Sequence, residues 1–174
     1  MVTRFDPPGL DAERPMLLNF LNFYRDTLEW KAGGLTDAQA RATPIAPSDL
    51  SIMGLIRHMA EVERNWFRRW MAGDATATPL YYDERDRDGD LHPGPNDTLA
   101  GSIAAWRAEI ADANDITARF HSLDTPSRKI SDREGEKGWQ PNLRWVLIHM
   151  IEEYARHCGH ADLIRQRIDG TVGD

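Results

Sequence analysis

At 174 residues the chain has enough length for one ordinary domain with a substantial core, and too little for two. Its 21 Lys and Arg stand against 28 Asp and Glu, a net charge of −7, so its field opposes nonspecific contact with nucleic acid or anionic lipid and neither is expected as a partner. The single cysteine, Cys158, excludes an intramolecular disulfide framework and any multi-cysteine zinc site, and it fits a reducing cytoplasm. The opening "MVTRFDPPGLDAERP" has no apolar stretch behind its early Arg. No apolar run approaches the roughly 18 residues of a membrane span, so neither leader nor membrane segment is expected.

Periodicity predicts four long helices. In the first, Leu17, Phe20, Leu21, Tyr24 and Leu28 recur at steps of three and four, with Asn19, Asn22, Arg25 and Asp26 pointing elsewhere. Pro15 suits its first turn, and Gly33-Gly34 marks its stop. Pro44 and Pro47 then exclude a long helix. From about Ser51 to Gly73 a second stripe runs through Ile52, Leu55, Met59, Val62 and Trp66, with His58 beside it.

Residues 74 to 97, rich in Asp, Pro and Gly, lack any helical or strand period and read as a long crossing connection. A third helix from about Thr98 to Ser122 repeats Leu99, Ile103, Trp106, Ile110, Ala113, Thr117 and Phe120. A second polar connection leads to the fourth helix, roughly Leu143 to Ile168, with Gly170 as its stop. The expectation is an all-α four-helix bundle with long connections, short strands being confined to those connections if present. Such bundles build metal and ligand sites from side chains on facing helices.

The fourth helix interrupts its own apolar face. Counted in sevens, Leu143, Met150, His157 and Ile164 share one row, and Val146, Glu153, His160 and Arg167 the adjacent one. Glu153 and His157 are four apart, stacked about one turn from each other, so both reach one point in front of the face. A carboxylate and an imidazole buried there need a partner, and a divalent ion supplies one. A third ligand must come from a facing helix; His58 is the histidine beside an apolar stripe there. The set His58, Glu153 and His157 suits zinc first, and also nickel, iron or manganese. A hydrogen-bonded core His58 and a local Glu153–His157 ion pair are the plain alternatives.

Around this set, His149 lies two turns before His157, too distant to share the ion, and is expected in a pocket. His160 is within supporting reach, Asp162 could orient an imidazole, and Trp145 with Trp139 could wall a pocket. Glu61 forms an H-x-x-E pair with His58, but a solvated carboxylate beside Arg57 and Arg64 is the simpler expectation. Trp66 and Trp106 fall at core spacing. Cys158 points about 100° away from His157 and is expected in the core; His92 and His121 are expected at the surface. "ERDRDGD" fails the calcium-loop register, and no Walker loop, G-x-S-x-G or dinucleotide fingerprint is present.

The stretches "GLTDAQARATPIAPSDLSIMGLIRHMAEVERNWF" and "HMIEEYARHCGHADLIRQRIDG" resemble the DinB-like superfamily of metal-binding four-helix bundles, over about residues 15 to 170 of a single domain spanning 1–174. That superfamily usually carries three histidines, one on the second helix and an H-x-x-x-H on the last. Here Glu153 replaces the first of that pair, which resembles the E-x-x-x-H form of mycothiol-dependent maleylpyruvate isomerase and its relatives. The resemblance implies the triad His58, Glu153 and His157, and a transfer or isomerisation reaction on a small molecule using a low-molecular-weight thiol such as mycothiol or bacillithiol. A noncatalytic binding protein and a metal-dependent hydrolase are the alternatives. A fourth protein ligand, Glu61 or His160, would favour the binding protein. A homodimer is expected from the aromatic residues on several helices.

Overall fold

The computed structural model describes residues 4 and 6–172. The expectation of no N-terminal leader falls in part on residues 1–3 and 5, outside the described residues, as do residues 173 and 174 of the expected domain.

The chain folds as an all-α bundle. Its helices are α1 (Glu13–Ala32), the short α2 (Asp37–Arg41), α3 (Ile52–Glu63), a π-helical segment (Arg64–Met71) continuing α3, α4 (Leu99–Ala118) and α5 (Leu143–Asp169). Among the described residues, β pairing is one isolated antiparallel bridge between Pro126 and Asn142. No helix among the described residues is long and apolar enough to cross a membrane.

The ends of these helices follow from local chemistry. Ser51, Thr98 and Asn142 each cap a helix by accepting the backbone N–H three residues on, at 3.0, 3.1 and 2.9 Å. Thr36 and Gln39 form a reciprocal capping box on α2, which the Pro-punctuated stretch had masked in the sequence. Gly170 ends α5 at φ +78°, a left-handed conformation that glycine adopts without strain. Arg14 of α1 closes the C-terminal end of α4, donating to the Thr117 and Phe120 carbonyls at 2.8 and 2.6 Å.

Helix α1 packs against α5, and α3 against α4 and α5, around Leu28, Ile52, Leu55, Met59, Phe67, Trp106, Val146, Leu147 and Met150. Two expectations are corrected. Phe20 is 40% exposed and lies outside the core, while Arg25, assigned to the polar side of α1, is buried. Arg25 points inward because it meets a partner there. Its guanidinium donates twice to the Glu63 carboxylate, at 2.8 Å each, and also to Asn22 and Asn114 at 3.0 Å. Tyr154 donates to the same carboxylate at 2.6 Å and accepts from the Trp106 indole at 2.8 Å. One buried network therefore joins α1, α3, α4 and α5, and burial pushes the Tyr154 phenol well above its ordinary value.

Trp66, expected in the core, is corrected as well. The helix widens to a π segment from Arg64, two residues before Trp66, and stays so to its end, where the Ala72 N–H reaches the Phe67 carbonyl at 2.9 Å; its side chains are rotated relative to a regular α-helix. Phe67 and Met71 thereby take the core positions, and Trp66 moves to the edge of the bundle.

Candidate metal centre

Helix α3 delivers His58 and α5 delivers Glu153 and His157, and the three offer ligand atoms that all lie within 4.8 Å of one another. The two imidazole rings meet edge to face with centroids 4.7 Å apart. His157 Nε2 is 3.5 Å from a Glu153 oxygen, the one-turn stacking expected of an i, i+4 pair. His157 is buried, and the Glu153 and His58 side chains are partly so.

His58 is oriented by a residue that the sequence reading passed over. Its Nδ1 is 2.7 Å from Asp90 Oδ2, so the proton belongs on Nδ1 and the Nε2 lone pair remains to bind an ion. Asp90 comes from the aperiodic 74–97 connection, and only the path of that connection brings it to His58. Arg57, next to His58 on α3, holds the path by donating to the Asp90 and Gly89 carbonyls at 3.1 and 2.7 Å and by pairing with Asp97. Gly54, one turn earlier, lets the loop approach. A Cβ there would stand 2.5 Å from the Leu91 carbonyl oxygen.

His160 supports the second imidazole. Its Nδ1 lies 3.3 Å from His157 Nδ1, so one of these nitrogens donates and the other accepts. Were an ion to take His157 Nε2, which otherwise donates toward Glu153, His157 would carry the proton of the bond to His160 on Nδ1. Burial and the neighbouring His157 hold the His160 pKa below its ordinary value, which suits an acceptor. The Glu153 carboxyl is held below its ordinary range, first by its bond to His157 and against the effect of burial, with His149 and Arg156 adding to the lowering. It stays ionised at neutral pH, as a ligand must.

His149 lies outside the triad, but its Nε2 is 3.4 Å from Glu153 and its ring stacks on Trp145 at 4.9 Å. Asp162 does not orient an imidazole. Five residues beyond His157, it faces α1 and pairs with Lys31 Nζ at 2.6 Å. Glu61 is not solvated either. It is buried, accepts the Tyr81 N–H at 2.8 Å and that of Leu80, and so anchors the start of the 74–97 connection. Neither Glu61 nor His160 belongs to the group that converges on one point. Cys158 lies against the Tyr24 carbonyl at 3.6 Å in the core, and burial pushes its thiol up to about 12, so it is no nucleophile at neutral pH. His92 is at the surface, paired with Asp86 at 2.8 Å, and His121 is exposed.

The donor set is chemically coherent: one ionised carboxylate and two imidazoles, each with its distal nitrogen engaged. That chemistry fits a divalent metal ion. Fold and site together define an all-α bundle of the DinB-like type with a candidate metal centre between its second long helix and its last. The mycothiol-S-transferase family matches residues 16–170, and the chain belongs to that family. Among solved structures, the chain is similar to a conserved protein from Enterococcus faecalis at a TM-score of 0.64. Identity is 14%, over 93% of this chain and 100% of that one, so the likeness concerns the fold. No curated protein matches it in sequence.

Proposed function

We propose that the protein is a metal-dependent mycothiol S-transferase that acts on a small electrophilic substrate in the cytoplasm. The observation that carries this reading is the convergence of His58, Glu153 and His157 in a chain of the mycothiol-S-transferase family. A divalent ion held there, with zinc preferred, lowers the pKa of a thiol so that thiolate exists at neutral pH.

The residues of the chain have separable tasks. His58 and His157 present Nε2, and Glu153 presents an oxygen that neutralises one positive charge. Asp90 and His160 hold the two imidazoles in the tautomers that leave those nitrogens free. In the transfer, the thiol proton goes to solvent and a carbon–sulfur bond forms at the electrophilic carbon. The bond to the leaving group breaks, and its electron pair departs with that group. The protein needs no nucleophile of its own, in keeping with the burial of Cys158.

Two measurements test the reading. Elemental analysis is expected to find about one divalent ion per chain, lost in His157→Ala because two ligands remain where three are needed. Undiminished metal in that variant refutes the site. In cobalt-substituted protein, mycothiol is expected to produce a sulfur-to-metal charge-transfer band that His58→Ala abolishes. If a small carboxylate perturbs the cobalt spectrum and no thiol does, metal-assisted hydrolysis replaces thiol transfer.

A further inference from the structure

Between the π segment, the 119–142 connection and the start of α5 lies a cavity of about 530 Å³, within the range of small-molecule sites. Four of the six tryptophans line it: Trp66 and Trp70 from the π segment, Trp139 from the 119–142 connection, and Trp145 from the first turn of α5. They do not fill a core, for Trp139 and Trp145 are 37% and 40% exposed. Exposed aromatic surface gathered at one place marks a binding surface.

Their arrangement is specific. Trp66 and Trp70 lie nearly parallel, centroids 5.7 Å apart and planes at 26°. Trp139 stands almost perpendicular to Trp70 and to Trp145, at 80° and 82°, with centroids 5.1 Å apart in both pairs. Ring faces and ring edges thus meet at a corner, the arrangement in which a further aromatic ring gains both stacked and edge-to-face contacts. An organic cation is the weaker fit, since the Lys129 ammonium already lies 4.9 Å from the centre of the Trp70 ring. Lys129 and Arg133 at the rim are balanced by Asp132 and Glu136, so the lining selects neither charge.

His149 stands between the cavity wall and the candidate metal centre. Trp66 and Trp145 both contact the His149 ring, at 4.8 and 4.9 Å, and His149 Nε2 is 3.4 Å from Glu153. Trp145 and Glu153 are eight residues apart on α5, about 12 Å along the helix. A small molecule can span that distance.

We infer that this four-tryptophan cavity binds the flat, uncharged aromatic ring of the acceptor substrate, with the electrophilic carbon directed past His149 toward the thiol. The inference rests on the transfer reading for the ring's role, but ring binding itself requires neither metal nor thiol. The test is equilibrium dialysis of the purified protein with 1,3-dinitrobenzene, a flat and unreactive ring, before and after chelator treatment. One ring is expected to bind per chain in both cases, roughly five- to tenfold more weakly in Trp139→Ala and within about twofold of wild type in Trp139→Phe. Trp139 lies in a half-exposed connection, so its replacement leaves the bundle core intact. Trp30→Ala, which alters a separate cavity beside Gly33, is expected to bind normally. Equal binding by wild type and Trp139→Ala, or displacement of the ring by tetramethylammonium, overturns the inference. Ring binding in a protein whose cobalt-substituted form shows no charge-transfer band with any thiol would sustain the subsite while refuting the transfer reading.

Discussion

Asp90 stands outside the candidate ligand group His58, Glu153 and His157, yet the proposed metal binding depends on it. It fixes the His58 tautomer, and loss of such a partner typically weakens metal binding about 10- to 100-fold. Asp90→Asn is therefore expected to lower zinc affinity by that factor in a chelator competition titration, with little change in thermal unfolding of the metal-free protein. Gly54 acts one step further away. Gly54→Ala forces its new methyl group against the Leu91 carbonyl, displaces the loop carrying Asp90, and is expected to destabilise the fold by about 1–3 kcal/mol and to weaken metal binding. A fall in stability without any fall in affinity would show that the loop does not transmit to His58. Cys158 offers a prediction in pH. Burial raises its thiol from 9.0 to about 12, so its contribution to stability is complete below pH 9 and declines as pH rises toward 12. Iodoacetamide at pH 8 is expected to leave the folded protein unlabelled and to label the urea-unfolded chain rapidly.

Among the elements, the π segment and the long α5 do the positioning. The π segment carries Trp66 and Trp70 out of the core while keeping Phe67 and Met71 in it, and its Trp70 and Met71 carbonyls accept the Lys129 and Arg128 N–H groups at 3.1 and 3.2 Å. The same segment thus builds one wall of the cavity and pins the connection that builds the other. Helix α5 carries Trp145, which lines the cavity, and then His149, Glu153 and His157 at four-residue intervals, with Tyr154 facing Glu63. The network around Glu63 sets the relative registers of the long helices. Glu63→Ala leaves the buried Arg25 without its carboxylate and is expected to destabilise the protein by about 3–5 kcal/mol in urea unfolding. Tyr154→Phe keeps that ion pair but leaves the Trp106 indole unpartnered, for a loss of about 1–3 kcal/mol. Similar losses in the two variants would contradict the central place given to the ion pair.

For the whole molecule, we propose that two copies pair as a homodimer. Ile148 and Leu163 on α5 are 52% and 57% exposed, and the proposed homodimer would cover such side chains. Sedimentation at micromolar concentration is expected to exceed the 19.8 kDa of one chain; a value equal to it would exclude the dimer. The same scale separates what is local in this protein from what is not. The four long helices, the glycine stops of the first and last, and the pairing of Glu153 with His157 were legible in the sequence because each depends on spacing within one helix, whereas the third helix, expected to reach Ser122, ends at Ala118. His58 could be matched to that pair because it was the histidine next to an apolar stripe on another long helix. Asp90 could not, because an aperiodic loop has no register from which its endpoint follows. Arg25 and Glu61 read as solvated since a charge at the border of a stripe looks the same whether its partner is water or a buried group across the bundle. Trp66 read as core because the widened π segment, invisible in the residue pattern, rotates its side chains relative to a regular α-helix. By itself the sequence determined the helices and the pairing of Glu153 with His157 within α5, through interactions that span at most a few turns. The cavity, the orientation of His58 and the buried network were decided only by the tertiary structure, because each requires groups more than 30 residues apart in the chain to arrive at one place.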